Sequence, residues 1–292
     1  MARRRPPTVH GVCIVDKPAG VTSHDVVQSL RRRLGERRVG HAGTLDPDAT
    51  GVLVVAVGSA TRLLTFVGGQ EKRYIGEVVL GTETDTLDAA GVVTARHEMG
   101  PVDLEHVRDL VAEHLTGPIM QVPPMVSALR VDGRRLHELA REGVEVEREP
   151  RPVTVYAFDV LGEVDPGVLS IAVTCSAGTY IRSLAGDLGR LLGGGAHLRN
   201  LRRTAIGSFT EDRAAAPEDC ALLPIRTAVE HLPTVTVDEA TADRVRLGQV
   251  LERFDGDGPW AVLDEAGELL AVYEVFRDRG VKPAVVLATG DR

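Results

Sequence analysis

The chain runs to 292 residues, 43% hydrophobic and 26% charged, enough to bury one large core, or one large and one small. Its longest apolar run, Gly51 to Gly58, falls far short of the roughly 20 residues that span a bilayer. No apolar segment follows the basic start to make a secretory leader, so membrane and export classes are set aside and a cytoplasmic location is expected. Three widely spaced cysteines, Cys13, Cys175 and Cys220, include no C-x-x-C pair, which argues against a disulfide framework or a zinc site.

The formal net charge of −8 speaks, taken whole, against a nucleic-acid partner. Its distribution does not. Residues 1–40 hold nine Arg or Lys (Arg3, Arg4, Arg5, Lys17, Arg31, Arg32, Arg33, Arg37, Arg38) against three acids (Asp16, Asp25, Glu36), a local surplus of six. A phosphate backbone responds to charge within a Debye length of ~8–10 Å, not to the molecular total.

In chain order, residues 1–10 read as a disordered basic segment. Gly11 to Asp16 reads as a strand and Lys17-Pro-Ala-Gly20 as a turn. Thr22 or Ser23 can cap a helix whose apolar face is Val26, Val27, Leu30 and Leu34, with Arg31, Arg32 and Arg33 at its C-terminal end, where cations suit the dipole. A Gly-, Thr-, Asp- and Pro-rich loop over 35–50 leads into a buried strand at 51–57. A strand over Lys72 to Leu80 and an amphipathic helix over 103–116 follow. Pro123-Pro124 breaks the chain, and Arg134 to Glu142 predicts a short helix. Strands near 153–160 and 168–175 precede a helix from Thr179 to Leu192, ended by Gly193-Gly-Gly195. Beyond about residue 230 the texture turns to short β segments (260–263, 269–275, 284–287), read as a separate small domain over 231–292.

The loop Gly40-His-Ala-Gly-Thr-Leu-Asp46-Pro-Asp-Ala-Thr-Gly51 carries the chemistry. Pro47 biases Asp46 away from helix, and a carboxylate just ahead of a buried strand stands on a rigid support. Ordinary turn formation explains an Asp-Pro-Asp run equally well. A calcium loop would need Glu six residues after Gly51, where Val57 stands. A D-x-D-x-T magnesium phosphotransferase should follow an apolar strand, and the preceding residues do not form one. No phosphate-binding glycine motif or metal-ligand cluster is present in the sequence.

These motifs resemble the TruB family of tRNA pseudouridine synthases. The match centres on Gly40 to Gly51 and is supported by Asp16-Lys17-Pro18-Ala-Gly20, Lys72-Arg-Tyr74, Leu80-Gly81, Val122-Pro-Pro-Met-Val-Ser127-Ala128-Leu129, Gly178-Thr-Tyr180-Ile-Arg182-Ser-Leu and Ala196-His-Leu-Arg-Asn-Leu201-Arg-Arg-Thr204. The resemblance implies a mixed α/β (α+β) catalytic domain over 11–230 with a central, largely antiparallel sheet, and a small β-rich RNA-binding domain of the PUA type over 231–292. It implies isomerisation of the uridine at position 55 in the TΨC loop of tRNA, by base flipping, with Asp46 as the catalytic nucleophile and no cofactor or metal.

Tyr74 and Tyr180 are then expected around the flipped base, since aromatic stacking offsets the few kcal/mol that flipping costs. Arg182 is expected to keep Asp46 ionised against the effect of burial. His41 is expected to contact or displace RNA nucleotides and Leu201 to lie against the target nucleotide, although Leu201 also suits a buried anchor. Lys17, Arg31, Arg32, Arg33, Arg199, Arg202 and Arg203 are expected phosphate contacts, and His197 is a further residue within reach of RNA. Val126 and Arg130 depart from the family pattern, where an aromatic and a lysine are common. The expected protein is a monomer with tRNA as its partner and no obligate protein partner. The rival readings are a non-catalytic tRNA-folding chaperone and the magnesium phosphotransferase.

Overall fold

The computed structural model describes residues 6–277 and 280–287, apart from 128, 132, 137, 138, 140, 141, 143 and 145. Arg3 to Arg5, Ala128, His137 and much of the expected helix at 134–142 therefore lie outside the described residues.

The chain opens with β1 (Gly11–Lys17) and α1 (Ser23–Leu34). Thr22 caps α1: its hydroxyl accepts from the Asp25 amide and the Asp25 carboxylate accepts in return, a capping box. Next come β2 (Val39–Ala42), β3 (Thr50–Val57), α2 (Leu64–Gly68) and β4 (Lys72–Leu80). Two short strands, β5 (Thr82–Thr84) and β6 (Val93–Arg96), form a hairpin ahead of α3 (Leu104–His114), which Asp103 caps. β7 (Gly117–Gln121) is followed by a second small hairpin of β8 (Arg130–Val131) and β9 (Arg134–Arg135). The long pair β10 (Arg151–Asp165) and β11 (Val168–Cys175) leads to α4 (Ile181–Leu191), β12 (Ala196–Ile206) and β13 (Phe209–Thr210). The last part contains β14 (Thr234–Thr236), α5 (Glu239–Arg246), β15 (Leu251–Glu252), β16 (Trp260–Leu263), β17 (Leu269–Phe276) and β18 (Gly280–Val286).

The protein is a mixed α/β fold built on two main sheets. The larger has nine strands, with β1-β3-β12-β4-β11-β10-β7 as its spine, β2 on β3 and β13 on β12. Every pairing in it is antiparallel except β3 with β12. β3 lies between β1 and β12, with β2 also paired to it, and is apolar almost throughout, because both its faces are covered. β4 alternates in and out instead, with Lys72, Tyr74, Gly76 and Val78 on the buried side. One core packs α3 and α4 against β4, β10 and β11, through Val107, Val111, Leu184 and Leu188 with Val78, Val155 and Ile171. The smaller, five-stranded sheet runs β14-β16-β17-β18-β15. Its Ala261, Leu269 and Val272, with Leu287 just after β18, share a hydrophobic cluster with Val12, Val54 and Leu63, so the C-terminal β unit is seated on the first sheet.

Several expectations change. Residues 8–10 are anchored rather than free: Thr8 donates its amide to Glu36 at 3.2 Å, and His10 Nδ1 accepts from the Ser59 amide at 3.1 Å. Arg134 lies on a strand rather than in a helix. The block around Arg199 to Arg203 is an 11-residue strand, and the tail, β-rich as expected, also contains α5. Among the described residues no helix is long and apolar enough to cross a membrane.

Candidate active site

Asp46 occupies the first position of a tight turn, in which the Ala49 amide donates to the Asp46 carbonyl at 3.2 Å and Pro47 supplies the fixed φ. The corner between β1 and α1 grips this turn on both sides. The Ser23 hydroxyl donates to Leu45 O at 3.1 Å and accepts from Leu45 N at 2.9 Å. Lys17 Nζ donates to Pro47 O at 2.8 Å, joined there by the Gly20 amide at 3.0 Å. Gly51 closes the loop at φ +100°, where a Cβ would lie 2.2 Å from the Arg203 carbonyl oxygen; only glycine fits between β3 and β12.

The carboxylate points at Arg182. Arg182 Nε lies 2.9 Å from Asp46 Oδ2 and Nη2 lies 3.2 Å from Oδ1, a bidentate pair. The Arg182 side chain is almost fully buried and spends its remaining donors on Thr86 O and Val126 O, both at 2.8 Å. A second carboxylate, Asp88, stands 3.5 Å from Arg182 Nη1. It is held by the Thr86 hydroxyl at 2.6 Å and the Ala90 amide at 3.1 Å. Burial pushes the Asp46 carboxyl above the ordinary carboxylate range; Arg182 opposes this shift and the negative charge of Asp88 adds to it. Asp46 is thus ion-paired yet easier to protonate than a free aspartate.

Around this pair lies a cavity of about 230 Å³ lined by Asp46, Tyr74, Tyr180, Arg182, Leu201 and Arg203, with Lys72 and Ser127 among its other walls. It is smaller than the roughly 300–1,000 Å³ of drug-sized ligand sites and is of the scale of a single base. Tyr74 enters from the centre of the sheet, on β4 between β11 and β12. Tyr180 enters as the residue before α4, in extended conformation and half-buried. Burial raises the phenol pKa of both. Leu201 reaches the cavity because β12 breaks its register between Arg199 and Arg202, with Asn200 at φ +53°. Such a bulge re-aims a side chain.

The structure therefore brings together Asp46, Tyr74, Tyr180, Arg182 and Leu201, all singled out from sequence. His41 is not among the cavity walls. It sits half-buried on β2, its imidazole lowered by burial and by the Arg203 charge, with a hydrogen bond to the Gly43 backbone acting the other way.

The expected phosphate contacts need correction. Lys17 is fully buried and caps three carbonyls, Pro18 O, Val21 O and Pro47 O, at 2.7–2.8 Å; burial lowers its pKa to about 8. Arg203, 1% exposed, donates to Val52 O and Gly43 O. Both charges are spent on carbonyls inside the fold rather than on the outer surface, Arg203 at the wall of the Asp46 cavity. Arg33 donates to Glu218 O and Cys220 O, and Arg31 to Val39 O. Arg199 pairs with Glu77 and Asp165, and Arg202 with Asp16 and Glu211. Arg32 is the member of the set that stands exposed without such a bond among the described residues. His197 is buried, its Nδ1 against Thr82 O at 2.8 Å, which leaves it no face toward RNA. Sequence reading missed Asp88 and Lys72. Lys72 opens the Lys-Arg-Tyr block and is buried, its Nζ donating to Gly68 O and Gln70 O, with a pKa lowered to about 8 by burial.

A model described as "TruB family pseudouridylate synthase (N terminal domain)" matches residues 31–181, and one described as "tRNA pseudouridylate synthase B C-terminal domain" matches residues 182–230. The protein is a pseudouridine synthase, an isomerase.

Among curated proteins it is 42% identical over 289 residues to tRNA pseudouridine synthase B of Dehalococcoides mccartyi, covering 94% of this chain and 96% of that one. It is 45% identical over 290 residues to the protein of that name from Thermobifida fusca, covering 95% and 98%. The chain belongs to the TruB family. Among solved structures it is similar to "Crystal Structure of a Cbf5-Nop10-Gar1 Complex" (TM-score 0.72, 27% identity, 96% of this chain and 84% of that one). It is similar also to "Structure of H/ACA RNP bound to a substrate RNA containing 2'-deoxyuridine" (TM-score 0.71, 27% identity, 96% and 86%).

Proposed function

We propose that this enzyme isomerises the uridine at position 55 of the TΨC loop of tRNA, acting as a monomer on the stem-loop, with Asp46 as the nucleophile. The observation that carries the reading is the bidentate Asp46–Arg182 pair on the wall of a base-sized cavity flanked by two tyrosines. The relatives' name supplies the tRNA.

Isomerisation breaks the bond from uracil N1 to C1′, turns the base and joins C5 to C1′. The C5 proton leaves to solvent and N1 gains one, so the step is balanced without redox or an activated donor. A uridine stacked in a loop must first be extruded, at a cost of a few kcal/mol. Tyr74 and Tyr180 receive the base, and stacking is worth roughly 1–3 kcal/mol per base. Asp46 attacks in its ionised form. Arg182 keeps it charged and aimed, and Asp88 holds Arg182 from behind. Leu201 packs against the nucleotide, and His41, beside the loop, holds the displaced RNA. Arg32 contributes phosphate contact on the outer surface. The unit 231–292, with its five-stranded sheet, serves as a small PUA-like RNA-binding domain beside the catalytic domain of 11–230.

A tRNA transcript labelled with [5-³H]uridine tests the reading, with the modified position mapped by carbodiimide treatment and primer extension. Release of one tritium per tRNA with a stop at position 55 is expected. Release at a different uridine, or none, would refute the assignment.

A further inference from the structure

The support of Tyr180 has an unusual source. Tyr180 precedes α4 with φ −100° and ψ 109°, and no side chain of its own caps the helix. Gln121, the last residue of the edge strand β7, is 2% exposed and lies 59 positions away in sequence. Its Oε1 accepts from the Tyr180 amide at 2.8 Å, and its Nε2 donates to the Tyr180 carbonyl at 3.0 Å. That carbonyl also accepts the helical bond from Leu184 N at 3.2 Å, so both its lone pairs are engaged. The orientation of the Gln121 amide is forced, because its partners are one pure donor and one pure acceptor.

A primary amide carries the same donor–acceptor pair as a peptide. Gln121 therefore acts as one further rung of the sheet, extended through a side chain to fix the backbone of a single residue. Two contacts continue the lacing: Ser183 Oγ donates to Val122 O at 3.1 Å, and Arg182 Nη2 to Val126 O at 2.8 Å. The start of α4, which carries both the ring of Tyr180 and the guanidinium facing Asp46, is thus tied to the 121–126 strap.

We propose that Gln121 is a positioning residue for the reaction: its amide clamp on the Tyr180 backbone sets the wall against which the target base is held. The proposal rests on the reading of Tyr180 as a base-holding residue. No other side chain of this reach supplies both bonds. Glutamate keeps the acceptor but lacks the donor when ionised, asparagine is one methylene short, and methionine fills the space with neither. Misplacement of a reacting group by about 1 Å can cost 10²-fold in rate.

The test measures single-turnover tritium release and tRNA affinity for Gln121→Met, Gln121→Glu, Tyr180→Ala and the Gln121→Met/Tyr180→Ala double variant, with melting curves for each. Gln121→Met is expected to slow turnover roughly 10- to 100-fold with tRNA affinity changed less than about 3-fold, and to add nothing further in the Tyr180→Ala background. For Gln121→Glu, the rate relative to wild type at the same pH should rise as pH falls, because the protonated acid regains a donor for Tyr180 O. Wild-type turnover in folded Gln121→Met, or full additivity with Tyr180→Ala, would overturn the proposal. If Gln121→Met does not fold, the Glu variant decides: a relative rate independent of pH would overturn it. Should Tyr180→Ala itself leave turnover intact, the fault would lie in the functional reading and not in the clamp.

Discussion

The two walls of the cleft carry the same residue type on different foundations. Tyr74 projects from β4 in the middle of the nine-stranded sheet, where β11 and β12 fix its backbone with ladder hydrogen bonds, and it is 8% exposed. Tyr180 projects from a loop at the head of α4, half-buried, its backbone fixed by the side chain of Gln121. One wall is set by the sheet and moves only if the core moves. The other stands at the head of a helix packed in the same core, its backbone held by side-chain bonds and not by the ladder. Asp46 lies between them, clamped by Ser23 and Lys17 from the β1–α1 corner and paired with Arg182 from the helix wall.

The largest effect should come from the residue between the walls. Asp46→Asn is expected to lower turnover by at least about 10³-fold while leaving the melting temperature unchanged or raised. The sign follows from the carboxyl shift: a folded-state pKa above the unfolded value means that ionised Asp46 costs stability at neutral pH, and Asn removes the charge. A melt well below wild type would show that the Arg182 pair holds the fold instead.

Next comes the helix wall. Arg182→Ala should cost roughly 10²-fold in turnover and destabilise toward the lower end of about 3–5 kcal/mol, because Asp46 is 39% exposed. The acid limb of the pH–rate profile should also move to higher pH, since Arg182 is the charge that chiefly lowers the Asp46 carboxyl; an unmoved limb would remove Arg182 from that role. With Asp46 as the proposed nucleophile, activity needs the ionised form, so in both proteins turnover should be lost as pH falls through the Asp46 pKa.

The two tyrosines should differ in what their loss costs the fold. Tyr74→Leu should slow turnover about 5- to 150-fold, the rate equivalent of one lost stacking contact, with little loss of tRNA binding, and should lower the melting temperature. Tyr180→Leu should show a similar kinetic loss with a smaller thermal cost. Equal thermal costs would mean the two walls are equally part of the core.

The smallest effects separate internal from external cations. Arg32→Ala should reduce the slope of log affinity against log salt by up to about 0.9, whereas Lys17→Met should leave the slope alone and lower the melting temperature. The reverse pattern would contradict the burial of Lys17.

This division explains what the sequence could and could not convey. The loop around Asp46 is legible because its chemistry is contiguous: the turn, the carboxylate and the glycine against Arg203 lie within a dozen residues. The Asp46–Arg182 pair is legible through the family resemblance, since 136 positions separate the two. Lys17 and Arg203 were expected on the surface because a sequence displays charge and conceals burial; three carbonyl acceptors for one ammonium exist only once the chain has folded. β12 escaped notice because its bulge and its arginines break the alternation that marks a strand. Asp88 and Gln121 were missed for a common reason: each acts by holding another residue, and nothing in the local pattern around either shows what it holds.

The most direct test of the account is single-turnover tritium release from [5-³H]uridine-labelled tRNA by wild type and Asp46→Asn, with tRNA affinity measured on the same preparations. The account predicts equal affinity within a few-fold, one tritium released by wild type and none by Asp46→Asn. Undiminished release by Asp46→Asn would place the chemistry on another residue and reduce Asp46 to the corner of a turn.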